Sequence, residues 1–189
     1  MLSILCVAAG PAAAHPHVFI ENVVTFVFTG GKLSGLRLLW AFDEVYSQSL
    51  FEDFDTNHDG NFDPAEVALA KKTSLTGLKP YGYFTHLWVD GKSLKAFDAT
   101  DLRVSSQGST VIYDMQIALA KPLDPRHNKV EVAVFDDSYY IDVELHEAKP
   151  VLFQGLTDGS CQYKITDDTT RAYYYNSVYP QVIELVCKG

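Results

Sequence analysis

The chain has 189 residues, 47% of them hydrophobic and 21% charged, which suits one soluble globular domain and is too short for two full-sized ones. It carries 15 Lys and Arg against 24 Asp and Glu, a net charge of −9, and such a surface repels phosphate backbones and anionic lipid. We therefore expect no nucleic-acid partner, whereas the negative charge suits a cation ligand.

The N-terminus begins with a short apolar run at residues 2–9, which the triplet Ala12–Ala14 follows. The run is shorter than the roughly 20 residues that a membrane-spanning helix needs, and the alanines match the small-residue site of signal peptidase. We predict a signal peptide over residues 1–14, cleaved after Ala14, and a periplasmic protein without membrane insertion. The mature chain, residues 15–189, is expected to form a single domain.

A β-hairpin is the first predicted element of the mature chain. Residues 17–28 are rich in Val, Ile, Phe and Thr, and apolar residues alternate again over 36–42. Gly30 and Gly31 lie between these segments, where a tight turn needs residues that tolerate positive φ. The pattern predicts two antiparallel strands.

Two helices are predicted after this hairpin. Apolar residues recur four apart at Tyr46, Leu50 and Phe54, which is the spacing of one helical face. The second helix is predicted over residues 64–72 and begins with a proline, as helices often do. Together the helices and their connection form a predicted helix–loop–helix insertion over residues 43–72.

The connection between these helices, residues 55–66, matches the EF-hand calcium pattern D-x-[DN]-x-[DN]-G-x5-E. Gly60 permits the sharp turn, Glu66 is the expected bidentate ligand, and Asp63 has capping-box spacing to Glu66. The alternative is a solvated acidic turn without metal. A single such loop and only 2 Met favour a structural Ca²⁺ site over a sensor. The predicted calcium ligands are Asp55, Asn57, Asp59, Asn61 through its carbonyl, Asp63 through water, and Glu66.

From Tyr81 onward the sequence pattern is that of strands. Asp90-Gly91 predicts a two-residue hairpin turn, and the alternating apolar residues from Val111 to Leu119 predict a strand with one buried face. The predicted fold is therefore mainly β, a β-sandwich-like domain with an inserted EF-hand-type helix–loop–helix. Further strands are predicted at residues 130–134, 139–145, 151–153, 161–165 and 182–187.

Cysteine usage also fits an exported protein. Cleavage removes Cys6 and leaves Cys161 and Cys187, which predict one disulfide in an oxidising compartment. Two free buried thiols are the alternative. The disulfide would close a loop of about 26 residues and stabilise the fold by roughly 3 kcal/mol.

The mature N-terminus, His15-Pro16-His17, is the candidate transition-metal site. Cleavage gives His15 a free α-amine, and in an extended chain its ring and that of His17 face the same side. Three nitrogens can then converge on one ion, and imidazole suits zinc, nickel and copper. The alternative is a frayed terminus with solvated histidines. The remaining scattered histidines are expected to be surface or packing residues: His86, His127 and His146.

Two acidic residues next to aromatic residues have open interpretations. Asp136 lies in Phe-Asp-Asp-Ser-Tyr-Tyr at residues 135–140, which is either a strand break or the source of an oxygen ligand. Asp43 follows Trp-Ala-Phe and is either a ligand or a helix cap.

A series of motifs comes in a distinctive order along the mature chain. They are His-Pro-His-Val at 15–18, Trp-Ala-Phe-Asp-Glu at 40–44, the acidic segment 52–66, Tyr-Phe-Thr at 83–85, Val-Asp-Gly-Lys at 89–92, Phe-Asp-Asp-Ser-Tyr-Tyr at 135–140 and the two late cysteines. The series resembles the periplasmic family of unknown function numbered one thousand and seven. That family is described as the periplasmic component of an uncharacterised ABC-type transport system. Its members are often encoded beside, or fused to, a nickel/cobalt-type permease, and at least one such pair is implicated in zinc acquisition.

The resemblance implies a periplasmic transition-metal-binding protein that serves an inner-membrane metal permease and is not an enzyme. The implied metal is zinc, or nickel or cobalt, and the candidate ligands are His15, His17 and Asp136. Two other hypotheses compete with this one. The first is an oxidative enzyme in which N-terminal histidines hold copper, and the second is an interaction module stiffened by calcium. The sequence contains no phosphate loop or H-E-x-x-H motif that would support nucleotide or metalloprotease chemistry.

Overall fold

Two β-sheets and a pair of α-helices make up the fold in a computed structural model, which describes residues 16–95, 97–156 and 159–188. The prediction of a mainly β protein is confirmed. The helices are α1 (Glu44–Phe54) and α2 (Pro64–Leu78), and a 3-10 helix (Lys79–Phe84) follows α2. The strands are β1 (Val18–Thr29), β2 (Lys32–Phe42), β3 (Thr85–Val89), β4 (Lys92–Leu94), β5 (Phe97–Gln107), β6 (Thr110–Leu123), β7 (Val130–Val134), β8 (Ile141–Leu145), β9 (Val151–Gln154), β10 (Cys161–Asp167) and β11 (Gln181–Cys187).

The two sheets and the helices share one hydrophobic core. The first sheet has the order β5-β6-β2-β1-β8, and β9 also pairs with β1. The second has the order β10-β11-β7-β3-β4. Ile20 and Trp40 of the first sheet, Val132 and Ile183 of the second and Leu50 of α1 belong to the same buried cluster. The core therefore contains side chains from both sheets and from the helix–loop–helix.

Both predicted two-residue hairpins are present. Gly30 and Gly31 adopt φ of +58° and +74° between β1 and β2, whose ends pair in antiparallel register. Asp90 and Gly91, with φ of +49° and +76°, connect β3 to β4 in the same way. Left-handed backbone at both central residues matches the right-handed twist of the flanking strands. This is why Gly-Gly and Asp-Gly dipeptides predict two-residue hairpin turns.

The strand predicted from Tyr81 is wrong at its start, because β3 begins only at Thr85. The preceding segment is the 3-10 helix, and Gly82 and Tyr83 take left-handed φ values of +59° and +55° within it. This turn buries Tyr83 and Phe84, so the aromatic residues that favoured a strand are instead packed by a local reversal of the chain.

Helix α2 is longer than the residues 64–72 predicted from the sequence and continues to Leu78. Leu75 and Leu78 pack against the core, and this tertiary contact extends the helix through Thr76 and Gly77, which have low helix propensity. No helix in the described ranges is long and apolar enough to span a membrane.

The predicted disulfide is confirmed. Cys161 and Cys187 lie opposite each other in β10 and β11, with a Cα–Cα distance of 4.0 Å and an S–S distance of 2.04 Å. The bond closes a segment with a sequence separation of 26 and ties the last strand to its neighbour.

We expect Cys161→Ala combined with Cys187→Ala to lower the free energy of unfolding by about 3 kcal/mol, because the unfolded chain regains the entropy of an open loop. Urea denaturation of the variant and of the wild type with and without reductant measures this. The reduced wild type should match the variant. An unchanged unfolding midpoint in both would show that the β10–β11 ladder alone holds the C-terminal strand.

Candidate metal-binding sites

The predicted calcium loop connects α1 to α2, and an aspartate caps the N-terminus of each helix. Asp43 accepts a hydrogen bond from the backbone N–H of Tyr46 at the start of α1, which supports its interpretation as a cap. Asp63 accepts from the N–H groups of Ala65 and Glu66 and forms a capping box with Glu66. At the end of α1 the Asp55 N–H donates to the carbonyl of Phe51, so the loop begins and ends at helical turns.

Side-chain oxygens in the first half of the loop are held against its backbone. The two carboxylate oxygens of Asp55 accept from the N–H of Asp59 at 3.2 Å and of Gly60 at 2.9 Å. The Asn57 amide oxygen also accepts from Asp59, and the Asp59 carboxylate accepts from Asn61. Gly60 permits this turn with a φ of +78°. Each carboxylate oxygen can accept two hydrogen bonds, so those of Asp55 keep capacity for a cation.

Glu66 reaches across the loop to its opposite side. Its Oε1 accepts from the N–H and hydroxyl of Thr56 at 2.8 Å each and from the N–H of Asn57 at 3.3 Å, while Oε2 accepts from Asp63 at 2.9 Å. The hydrogen bond from the Asp63 backbone, and then that from the Thr56 hydroxyl, lower the pKa of Glu66. The contact with Thr56 joins the two ends of the loop, and the motif gave no signal for it.

Aromatic packing and one further hydrogen bond fix the loop to its surroundings. The rings of Phe51 in α1 and Phe62 in the loop stack with centroids 5.1 Å apart. The Ser106 hydroxyl of β5 donates to the carbonyl of Gly60 at 3.3 Å. The loop is thereby supported from both a helix and the first sheet.

Four acidic residues of the loop have no cationic partner among the residues that the structure describes. In the described part of the chain, none of Asp55, Asp59, Asp63 and Glu66 forms a salt bridge. Within the same ranges, no group of three or more His, Cys, Asp or Glu side chains is gathered closely enough to hold a metal ion. The loop carboxylates instead accept hydrogen bonds from separate backbone amides.

The low pKa of Glu66 predicts an acid-sensitive contribution to stability. A carboxylate whose folded pKa lies below its unfolded value of 4.5 stabilises the fold above that value and loses this contribution as pH falls through the folded pKa. We expect the metal-free protein to lose stability on acidification below about pH 4.5, and Glu66→Gln to lose less over the same range. Urea unfolding of both proteins between about pH 3 and 6 is the measurement. If the free energy of unfolding fell equally with pH in both proteins, the ionisation of Glu66 would make no contribution to stability.

The predicted N-terminal metal site lies only partly within the described residues. His15 lies outside them, whereas His17 is exposed and directly precedes β1. The backbone N–H of His17 donates to the carbonyl of Tyr140 at 2.8 Å, and their rings lie 4.9 Å apart. The chain is therefore held in place at the third residue after the predicted cleavage point.

Asp136 contacts the backbone of the same Tyr140 through its side chain. Its Oδ1 accepts from the N–H of Ser138, and its Oδ2 accepts from the Ser138 hydroxyl and the N–H groups of Tyr140 and Ile141. The buried carboxylate thus organises the turn before β8. The structure brings the His17 and Asp136 segments together at Tyr140, and Asp136 there serves as a turn cap.

We expect Asp136→Ala to lower the free energy of unfolding by about 2 kcal/mol, because backbone N–H groups of the turn lose their acceptor. Asp136→Asn keeps one acceptor oxygen and should lose less. The exposed neighbour provides a control, since Asp137→Ala should change stability little. Chemical denaturation of the three variants measures the order, and equal effects at 136 and 137 would contradict the capping role.

The remaining histidines occupy the surface and packing positions expected of them. The His86 ring stacks on Phe135 at 3.7 Å, and burial lowers its pKa. His127 is exposed near Asp124, and the His146 ring accepts hydrogen bonds from the backbone that follows it.

A family comparison extends the resemblance seen in the motifs. The family model described as "Protein of unknown function (DUF1007)" matches residues 1–180. The chain belongs to this family. This DUF1007 protein is also similar to the "Uncharacterized 15.5 kDa protein in trpE 3'region" of Spirochaeta aurantia, with 29% identity over 128 residues that cover 68% of this chain and 91% of the relative. The motif-based recognition is therefore confirmed at the level of the family.

Proposed function

We propose that this DUF1007 protein is a periplasmic metal-binding protein that holds calcium as a structural ion and carries a transition metal to an inner-membrane permease. The observation that carries the calcium assignment is the geometry of the 55–66 loop. It combines a complete ligand pattern, two capped flanking helices and four acidic residues that have no salt-bridge partner among the described residues. In this proposal residues 43–72 are an EF-hand-type insertion in a sandwich-like β domain.

Calcium binding in this loop needs one local rearrangement. Oε1 of Glu66 already accepts three hydrogen bonds, from Thr56 and Asn57, so it has no capacity left for an ion. To bind bidentately, the carboxylate has to leave these donors and turn toward the oxygens of Asp55 and Asp59. The cation then replaces the amides as the link between the two ends of the loop.

The expected consequence of this exchange is stabilisation rather than opening of the helix pair. Leu50 and Phe54 of α1 and Ala70 of α2 are buried in the core that the helices share with the two sheets, so opening the helix pair would have to remove them from that core. Sensor EF-hands instead open a hydrophobic groove when they bind calcium. We therefore assign the ion a structural role.

A calcium titration of metal-free mature protein tests this assignment. Calorimetry should detect one site per chain, and saturation should raise the melting temperature, because an ion that binds only the folded state stabilises it. Magnesium is the control, since it retains its waters and prefers a smaller octahedral site. If calcium produced neither binding heat nor a rise in melting temperature, the assignment would be refuted.

The transition-metal assignment rests on the N-terminus. Signal cleavage after Ala14 would leave His15 with a free amine, and the backbone hydrogen bond of His17 to Tyr140 supports an ordered strand beginning beside this terminus. Zinc is the preferred ion because neutral imidazole is a common zinc ligand, with nickel, cobalt or copper as alternatives. Asp136 is the third candidate ligand, although binding would require it to give up part of its turn cap.

Transport, the permease partner and the periplasmic location are supported by the family resemblance. The same metal titrations distinguish the competing functions. A calcium-stiffened interaction module should bind calcium but no zinc, and a copper-dependent oxidative enzyme should prefer copper and oxidise a reductant under oxygen. A metal carrier should bind zinc reversibly without turnover.

A further inference from the structure

A groove with a volume of about 570 Å³ lies between strand β8 of the first sheet and strands of the second sheet. Four successive residues of β8, from Asp142 to Leu145, line it. Successive side chains of a strand point to opposite faces, so a wall of consecutive residues means that the groove meets the edge of β8 and not one of its faces. The opposite wall contains apolar residues of the second sheet and two tyrosines: Val134, Ile165, Ile183, Tyr173 and Tyr179.

The edge of β8 that faces the groove has no strand beside it. Among the described strands, β8 ends the first sheet and pairs only with β1. The carbonyl of Tyr140 and the N–H of His146 bond to the β1 segment, so the backbone groups of the even-numbered residues face β1. The backbone N–H and C=O groups of Val143 and Leu145 therefore face the groove. An unpaired row of this kind is a template for a further strand.

Side chains along β8 alternate between charged and apolar. Asp142 and Glu144 lie beside exposed residues of β1 in the parallel register, on the outer face of the first sheet. Val143 and Leu145 point the other way and pack against the core. An extended segment placed beside β8 continues the same two faces. Its side chains would meet carboxylates on one face and apolar residues on the other.

The carboxylates at this edge lack a cation in the part of the chain that the structure describes. Asp142, Glu144 and the following Glu147 form no salt bridge there. No Lys or Arg is among the described residues that line the groove, and the Nδ1 atom of His146 accepts backbone hydrogen bonds. Burial, and second the charge of Glu144, raise the pKa of Asp142. A cation beside the two carboxylates would relieve their repulsion.

We propose that β8 binds an extended segment of a protein partner as an additional strand, and that this segment alternates basic with apolar residues. Its backbone bonds to Val143 and Leu145, as in complexes in which a peptide extends a sheet at its edge. Its basic side chains lie beside Asp142 and Glu144, and its apolar side chains enter the groove. The competing explanation is that a short, acidic edge strand only protects the sheet from pairing with other chains. The proposal requires no metal ion and is independent of the proposed metal binding.

Two seven-residue peptides with blocked ends are the probes, Lys-Val-Lys-Val-Lys-Val-Lys and its counterpart with glutamate in place of lysine. Calorimetry with the mature protein should detect binding of the lysine peptide and none of the glutamate peptide. Asp142→Asn combined with Glu144→Gln should weaken the lysine peptide by about tenfold. Glu52→Gln combined with Asp53→Asn is the matched control, because it removes the same charge from exposed positions of α1. Equal weakening by both pairs would reduce the effect to net charge and overturn the site.

Backbone methylation of the lysine peptide tests the added strand in the wild-type protein, without any variant. The N–H groups of an extended peptide point alternately to its two edges, so methyl groups on the lysine amides block one edge and those on the valine amides block the other. We expect one methylated peptide to lose about tenfold or more in affinity and the other to bind like the unmodified peptide. Which of the two loses affinity gives the direction of the added strand. Equal behaviour of the two methylated peptides, or no binding of the unmodified one, would overturn strand addition and leave the acidic edge as a protective feature.

Discussion

Glu66→Gln is expected to weaken calcium binding by about 100-fold, because loss of a charged ligand from a partly buried ion site costs on the order of 3 kcal/mol. The amide keeps the length of Glu66 and one carbonyl oxygen, but it cannot bind calcium through two oxygens. Calorimetry with the metal-free mature protein measures the affinity. The calcium-dependent rise in melting temperature should shrink in parallel.

His58→Asn is the matched control for this experiment. His58 occupies a non-ligand position of the loop and has a φ of +58°, which asparagine tolerates. The control should bind calcium as the wild type does. If Glu66→Gln also bound normally, Glu66 would be only a structural link between Thr56 and Asp63, and the bidentate role would be wrong.

Zinc binding is the second large expected effect, and it depends on the start of the mature chain. One extra residue before His15 displaces the α-amine and should lower zinc affinity by about tenfold, although both imidazoles remain. His15→Ala combined with His17→Ala should lower it by about 100-fold, because both imidazole ligands are lost. Binding to the mature protein should weaken as pH falls through about 6.5, since ligand histidines must be neutral.

Calcium affinity is the internal control for the zinc titrations. The calcium loop uses hard oxygen ligands and should be unaffected by any change at the N-terminus. Equal zinc affinity in the mature, extended and double-alanine proteins would contradict the N-terminal site. The half-buried His86 and His146 and the exposed His127 would then be the next residues to replace.

The local geometry of the 55–66 loop was predictable because the pattern behind it falls within twelve consecutive residues. Short-range features of this kind include the Asp63 cap, the turn at Gly60 and the spacing to Glu66. The hydrogen bonds from Thr56 and Asn57 to Glu66 were not predictable, because they depend on the relative placement of two helices that pack on the core.

At the N-terminal candidate site, too, the sequence identified residues but not their contacts. The sequence was sufficient to single out His17 and Asp136 by residue type, but it left the role of Asp136 open. Only the pairing of β1 with β8 places both segments at Tyr140 and gives the Asp136 carboxylate its turn donors. That pairing joins distant parts of the chain, for which the local pattern has no signal.

The sequence by itself therefore determined the mainly β character, the two hairpin turns, the Asp63 helix cap, the loop pattern and the cysteine pair. These follow from side-chain alternation, backbone preferences and the chemistry of neighbouring residues, all of which act over short distances. The tertiary structure alone decided the parallel pairing of β8 and β9 with β1, the full length of α2 and the groove along the free edge of β8. Each of these depends on which apolar surfaces are buried together, and that is a property of the whole folded chain.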